Sequence, residues 1–549
     1  MNKTAKTITS VLLAFFYSIA YTVVGPMMKN QDTTFSKSMI LPLFICFFVC
    51  TGVNLILFTV LPKLKFHKSH IAITAFVNKL SDKKQFLIVW AFIFVCWIPV
   101  FLLTFPGVLS YDIISQTGSA IDGITSNHHP FLHTWLLRVF MKFGAACFSS
   151  YEVGLGFLSL LQMIVLSYAM ARFVLFLKKK NVHMLLVLFT ALFSAFWFTN
   201  AVMSVSMIKD TLHAAFFVLF VCHFTDIVTD YASYVRKKSN LIALPIISFF
   251  MFATRNNGLH IYLFCFGLLA LFRLSHIKKI VSCAALIAVV VLPVVMFKIY
   301  TGPVFKVLGV EQGEVRETLC VPIQQLQRVS SLKYEELTEE QRAVMRSYII
   351  DCPSWMGYDH DRAYDPFLAD PANSCFYSAY YNETKTDFWK FYLKTGIQYP
   401  GTYVVAFLSN TLGYWYPGYY YYSAVMYEDY PADLFTYPLT RRSIWRNDAL
   451  NSLYSSLCLD DFWRDIPVVR FFFVQGFSLW ILIYSLILSW KKKGFFTKDL
   501  PLLFPMIAQF GIMILCPMAS FRYSWPFYLI IPIVFITIKN DENINKDND

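Results

Sequence analysis

The sequence predicts an all-α polytopic membrane protein, and three observations predict it. Of 549 residues, 57% are hydrophobic and 15% charged, against roughly 25% charged in an ordinary soluble domain. A soluble fold of this length lacks the polar residues to cover its surface. The apolar residues come in long unbroken runs, which suit spanning helices and not the alternating strands of an outer-membrane barrel. The basic residues cluster in short stretches between these runs, the pattern of cytoplasmic loops. A soluble enzyme, a disordered chain and a solenoid of soluble repeats are thereby excluded. The net charge of +13 does not point to nucleic acid. Residues 301–467 hold 21 of the 34 acidic residues but 14 of the 47 basic ones, so the excess base lies in the inter-run clusters and forms no binding stripe.

Taken in order, the apolar runs predict twelve spans near 8–28, 39–61, 86–104, 153–177, 182–200, 209–228, 241–254, 259–273, 280–298, 468–490, 500–516 and 522–538. The seventh and eighth are short and meet at Thr254-Arg255-Asn256-Asn257-Gly258. Basic clusters fill every second connection: Lys63 to Lys84, Lys178-Lys179-Lys180, Arg236-Lys237-Lys238, Arg273 with Lys278 and Lys279, and Lys491-Lys492-Lys493. These loops are therefore expected in the cytoplasm, together with both termini. The first run lacks a small-residue cleavage site and is followed at once by another span, so it reads as a retained helix.

This orientation places two long segments outside the cell membrane, 105–152 and 299–467. The chain then divides into an N-terminal helix pair with its loop (1–85), a transmembrane core (86–298), an extracytoplasmic domain (299–467) and C-terminal spans with a tail (468–549). The external domain is expected to be mostly helical. Thr338-Glu339-Glu340-Gln341 has the form of a capping box. Phe388, Phe391, Tyr392 and Thr395 line one side of a helix ended by Gly396, and Pro400 opens the next. The aromatic run from Tyr414 to Tyr422 suits the headgroup level, and equally a stacking surface for sugar. Residues 131–148 read as an amphipathic helix lying in the interface.

Ionisable residues near a membrane are costly, so they carry the functional information. Asp112 follows the third span closely. His128 and His129 lie in the same external segment. Lys209-Asp210 starts the sixth span, Arg255 ends the seventh and Arg522 starts the twelfth. The charge-derived orientation puts all of them on one side, at the external rim. Asp210 also suits a helix N-cap, Lys209 a snorkelling anchor and Arg522 an interfacial anchor. The adjacent histidines do not share a helical face, which weighs against a metal site; a divalent cation stays open as a cofactor. Of the cysteines outside the spans, Cys352 and Cys375 flank a polar loop and suit a disulfide. There is no phosphate-binding loop of the nucleotide type.

These residues resemble the C-type membrane glycosyltransferases, and more narrowly a bacterial family of uncharacterised membrane proteins labelled DUF6020. The stretches that carry the resemblance are Phe105-Pro106-Gly107 through Asp112 and Gln116, Asn127-His128-His129-Pro130, Lys209-Asp210, Arg255-Asn256-Asn257-Gly258, Pro322-Ile323-Gln324-Gln325 and Arg522-Tyr523. The resemblance implies a core of that type and a transferase using a polyprenyl-phosphate-linked sugar, with Asp112 as the base. Its acceptor would be extracytoplasmic. The chain departs from the metal-dependent branch, having no Asp-x-Asp in its first external loop; Asp359 and Asp361 form one only in the late domain.

The residues themselves suit that chemistry. A departing lipid phosphate needs cations, which Arg255, Arg522, Lys209 and Arg138 are placed to provide. An acceptor hydroxyl needs a base, for which Asp112 is the candidate. His128, His129, Asp210 and Gln116 are then expected to contact substrate. The rival reading is a flippase or transporter of lipid-linked sugars, which predicts internal repeats and mid-membrane charges; neither is evident.

Overall fold

The computed structural model describes residues 3–60, 79–109, 112–273, 284–349, 364–419, 439, 444, 447–456, 466–490 and 499–537. Throughout them the chain is helical, with isolated bridges in place of strands.

Six helices are long and apolar enough to cross a membrane: α1 (Lys3–Asn30), α2 (Lys37–Thr59), α3 (Asp82–Thr104), α6 (Tyr151–Lys179), α9 (Lys209–Thr229) and Val290–Leu308, which overlaps α12 (Ala284–Ile299). A seventh crossing exists if α7 (Met184–Phe196) and α8 (Phe198–Val205), bent by 50° at Trp197, count as one span. The twelve expected spans are thus not all long enough. The other five are α10 (Lys238–Thr254), α11 (Asn257–Arg273), α18 (Gln475–Ser489), α19 (Leu500–Ile514) and α20 (Phe521–Thr537), each an apolar helix of 10–17 residues. Seventeen residues rise about 26 Å, short of a hydrocarbon core of about 30 Å. Burial explains how a short helix is accommodated. Apart from Ile531 and Phe535, every residue of α20 is buried, so the neighbouring helices, not lipid, surround it. Helix α2, by contrast, buries little of its surface and turns Leu41, Phe44, Phe48 and Ile56 outward.

Local chemistry sets the ends. Ser81 caps α3 by accepting from Lys84 N at 3.4 Å. Ser150 caps α6 by accepting from Val153 N at 3.3 Å, with Glu152 in the first turn and Lys178 and Lys179 in the last. That charge order complements the helix dipole. Helix α5 (Phe131–Phe148) has the bounds the sequence predicts. It folds back on α6 at a close crossing, where a Cβ at Gly154 would lie 2.0 Å from the Phe140 carbonyl oxygen. Its other face exposes Trp135, Val139 and Phe143.

The described residues between Leu319 and Tyr403 form a core of their own. Helices α13 (Cys320–Lys333), α14 (Glu339–Tyr348), α16 (Lys385–Gln398) and α17 (Pro400–Asn410) bury Ile323, Met345, Tyr348, Phe388 and Tyr403 together. The capping box at Thr338 and Gln341 is formed in both directions. Two expectations are corrected. Gly396 does not end α16, which continues to Gln398; its missing side chain instead makes room for Tyr403, whose ring carbon would lie 2.8 Å from a Cβ there. Tyr414, Trp415 and Tyr416 do not form an open stacking surface. They are buried, with Tyr414 Oη donating to Met518 O and Trp415 O accepting from Trp480 Nε1. Tyr420, Tyr421 and Tyr422 lie outside the described residues. So does Cys352, while Cys375 is disulfide-bonded.

Candidate functional site

Asp112 and Lys209 are 97 positions apart, and backbone pairing brings them together. Phe105-Pro106 leads into Gly107, whose φ of +151° is reserved for glycine. A Cβ there would lie 2.4 Å from Ser159 Oγ and 2.5 Å from Val205 O. The loop can therefore lie flat on residues 205–208. Val108 N donates to Val205 O at 3.0 Å, and Met207 N donates to Val108 O at 3.1 Å. Helix α6 secures the other side of this segment: Ser159 Oγ donates to Val205 O, and Gln162 Nε2 to Ser206 O and Ile208 O. Lys209 opens α9 directly afterwards.

Arg522 arrives from the far end of the chain, on the first turn of α20. The loop before it is held on several sides. Asn410 Nδ2 donates to Cys516 O at 3.2 Å, Ala369 N to Pro517 O at 2.7 Å, Tyr414 Oη to Met518 O at 3.1 Å and Gln475 Nε2 to Ala519 O.

The result is a carboxylate between two cations. Lys209 Nζ donates to Asp112 Oδ2 at 2.7 Å, and Arg522 Nη1 donates to Asp112 Oδ1 at 3.2 Å. His129 Nδ1 lies 3.8 Å from Asp112 Oδ2 and 3.4 Å from Lys209 Nζ, while its Nε2 is 2.7 Å from Ser115 Oγ. The side chains of Asp112, Lys209 and Arg522 keep 19%, 15% and 10% exposure, so the group is enclosed but reachable. Burial pushes the Asp112 carboxyl up. Arg522, Lys209 and His129 outweigh it and hold the group well below the usual carboxylate range. For His129, burial and then Lys209 bring the ring down to about 3, so it is neutral at pH 7.

A second pair lies beside the first. Asp210 is fully buried and ion-paired through Oδ1 with Arg255, whose backbone ends α10. Asp210 Oδ2 has no hydrogen-bond partner among the described residues. Tyr523 joins the pairs: the guanidinium carbons of Arg255 and Arg522 lie 4.8 and 4.9 Å from its ring centroid, and Arg522 Nη2 donates to its hydroxyl at 2.9 Å. The line Lys209, Asp112, Arg522, Tyr523, Arg255, Asp210 thus joins residues from two helices and two connections.

A family model described as a family of unknown function (DUF6020) matches residues 120–549. The chain belongs to this family. The DUF6020 match takes in His129, Lys209, Asp210, Arg255 and Arg522, and begins after Asp112 and Gln116. No curated protein and no solved structure matches the chain.

The remaining sequence candidates lie around this line. Arg138 does not join it: its Nη1 donates to Ala120 O at 2.9 Å and Ile121 O at 3.3 Å, closing the end of α4 (Ile113–Asp122). Gln116 is buried behind the site, with Oε1 2.7 Å from His133 Nδ1 and 3.5 Å from Thr134 Oγ1. His128 is exposed and meets the His129 ring edge-on at 4.6 Å. Asp210 is not the N-cap of α9; Ile208 holds that position. Among the described residues no three His, Cys, Asp or Glu side chains gather as a metal-binding group; Asp359 and Asp361 lie outside them. Sequence reasoning missed Ser115. Ser115 stands one helical turn after Asp112, a signal that periodicity offers.

Proposed function

We propose that this DUF6020 protein is a membrane glycosyltransferase that moves a sugar from a polyprenyl-phosphate donor to an extracytoplasmic acceptor. The observation that carries the reading is the Asp112 carboxylate held between Lys209 and Arg522 in an enclosed, reachable rim. The acceptor oxygen attacks the anomeric carbon, the bond from that carbon to the phosphate oxygen breaks, and its electron pair leaves with polyprenyl phosphate. Lys209 and Arg522 neutralise the charge that develops on the phosphate. The acceptor proton passes to Asp112. Both cations are engaged by Asp112, which keeps it ionised but weakly basic. A phosphate that shares the cations loosens that hold, so the base strengthens as the donor seats. Asp210 and Arg255 support the site from behind, through Tyr523.

The same reading takes the five shorter helices as further crossings, giving twelve, a core of the C-type transferase kind and both termini in the cytoplasm. The external domain then stands on the side of Asp112. Single reporter cysteines at positions 179 and 237 are expected to label from the cytoplasm, and those at 120 and 256 from outside. Labelling of 237 from outside with none at 256 reverses the orientation.

The reaction is tested with purified protein in nanodiscs and undecaprenyl-phosphate hexoses and pentoses. Release of undecaprenyl phosphate is expected. Movement of intact donor across the bilayer without release replaces this reading with a flippase.

A further inference from the structure

Asp370 opens the short helix α15 (Asp370–Ser374) in the external domain. The residues around it are buried: Ala369, Pro371, Ala372 and Asn373. Asp370 alone in this stretch is exposed. Its side chain makes no ion pair or hydrogen bond with the described residues. The backbone just before it is fixed to the loop that delivers Arg522, through the Leu368–Met518 bridge and Ala369 N donating to Pro517 O at 2.7 Å. A carboxylate with no partner is thus carried by the external domain onto the element that builds the donor side of the site.

The charged and titratable groups within electrostatic reach are Glu317, ahead of α13, with Arg522 and Asp112 from the site itself. The Cys320 and Cys516 thiols lie within the same electrostatic reach. Asp370 keeps solvent access, but the crowding of protein around its carboxyl is the largest influence on it; Glu317 and Asp112 add to that influence while Arg522 opposes it. The group is pushed up to about 6. It is therefore ionised above that pH and neutral below.

We propose that Asp370 is the acceptor-binding carboxylate of the site, accepting a hydrogen bond from a hydroxyl of a glycan-type acceptor. This assignment rests on the transferase reading. Asp112 is engaged by two cations and takes the acceptor proton. Asp370 has unfilled acceptor capacity and is borne next to the loop that delivers Arg522. A carboxylate in that position selects a partner with hydrogen-bond donors, which a polyol presents in rows. Asp370 binds through its charged form, so acceptor binding is strongest above about pH 6 and weakens as pH falls through it.

The test uses full-length protein in nanodiscs, undecaprenyl-phosphate sugars as donors and octyl glycosides as acceptors, between pH 5 and 8. For the parent protein, the acceptor KM is expected to rise as pH falls through about 6. Asp370→Asn is expected to raise acceptor KM roughly 10- to 100-fold, the range of a hydrogen bond to a charged group, and to remove the pH dependence. Asp370→Glu restores the pH dependence. Binding of undecaprenyl phosphate is expected to stay within about threefold of the parent in both variants, which also reports that they are folded. A parental acceptor KM in Asp370→Asn overturns the assignment, as does a loss of undecaprenyl phosphate binding equal to that of Arg522→Ala. Turnover that no octyl glycoside stimulates overturns the hydroxyl acceptor. Absence of undecaprenyl phosphate release by the parent with every donor is a different failure: it removes the transferase reading, and this assignment with it.

Discussion

Helix α9 carries ionic groups at both ends, and the two ends are built differently. At its last turn, Asp226 is met by Lys180 at 2.6 Å and Lys179 at 3.7 Å, both from the end of α6, the helix packed alongside. The Lys179 side chain is 61% exposed. At its first turn, Lys209 and Asp210 meet Asp112, Arg255, Arg522 and His129, drawn from separated parts of the chain and largely enclosed. A lysine at a helix N-terminus opposes the helix dipole, so local preference does not place it there; a carboxylate from elsewhere must offset it. An acid in the last turn opposes the dipole as well, but the end of one neighbouring helix supplies its cations. The first-turn end is offset only by groups gathered from across the whole chain. Local preferences broken in that way concentrate at functional sites.

The largest test of this contrast is Arg255→Ala. Read from sequence, Arg255 is a phosphate ligand whose removal spares the fold. Its pairing with the fully buried Asp210 changes that expectation. Removing one partner of a buried pair leaves an uncompensated charge, at a cost of about 3–5 kcal/mol. Thermal unfolding in nanodiscs is expected to show that loss for Arg255→Ala, and most of it is expected to return in the double variant Asp210→Leu/Arg255→Met. An unchanged midpoint for Arg255→Ala places the arginine in the binding chemistry and not in the support.

Asp112→Asn comes next. The exchange keeps size and removes the proton acceptor, so turnover is expected to fall by about 10²–10⁴-fold. Affinity for undecaprenyl phosphate is expected to hold or to tighten, because Lys209 and Arg522 are released to the phosphate. A fold-wide destabilisation with turnover per folded molecule unchanged makes Asp112 a structural counter-ion, equivalent to Asp226 at the last turn of α9.

Arg522→Ala and Lys209→Ala are expected to weaken undecaprenyl phosphate binding by roughly 10- to 100-fold each, the worth of a charge-assisted hydrogen bond. Lipid flotation or calorimetry measures this directly. The two effects are expected to be non-additive, since both cations share one carboxylate. Parental affinity in both variants makes them membrane anchors.

Much of this was legible in the sequence, because it follows from local pattern. Apolar runs locate the helices, and the α5 bounds, the capping box at Thr338 and the Pro400 start are written in single turns. Charge placement brings Asp112, Lys209, Arg255 and Arg522 to one rim. What pattern does not carry is pairing. Arg138 and Arg522 look alike in sequence, yet one closes α4 through backbone carbonyls and the other reaches Asp112. Nor does hydropathy alone separate a helix that crosses lipid from one such as α20, surrounded by protein. Asp370 left no mark, because its position depends on a tie between residues 369 and 517 that no local spacing encodes.

The smallest expected effect is the sharpest control. Lys180→Ala removes the closest partner of Asp226 and the contact of Lys180 Nζ with Thr229 Oγ1 at 2.5 Å. Asp226 keeps Lys179, whose side chain is 61% exposed, so its charge is not left alone and the stability change is expected below about 1 kcal/mol. Raising the salt concentration is expected to shrink it further. Undecaprenyl phosphate affinity and turnover are expected to stay at parental values, because nothing at this end touches the rim. If Lys180→Ala weakens phosphate binding as much as Arg522→Ala does, the two ends of α9 are not functionally distinct. The rim charges then lose their standing as a site, and the excess of cations on both faces is membrane anchoring throughout.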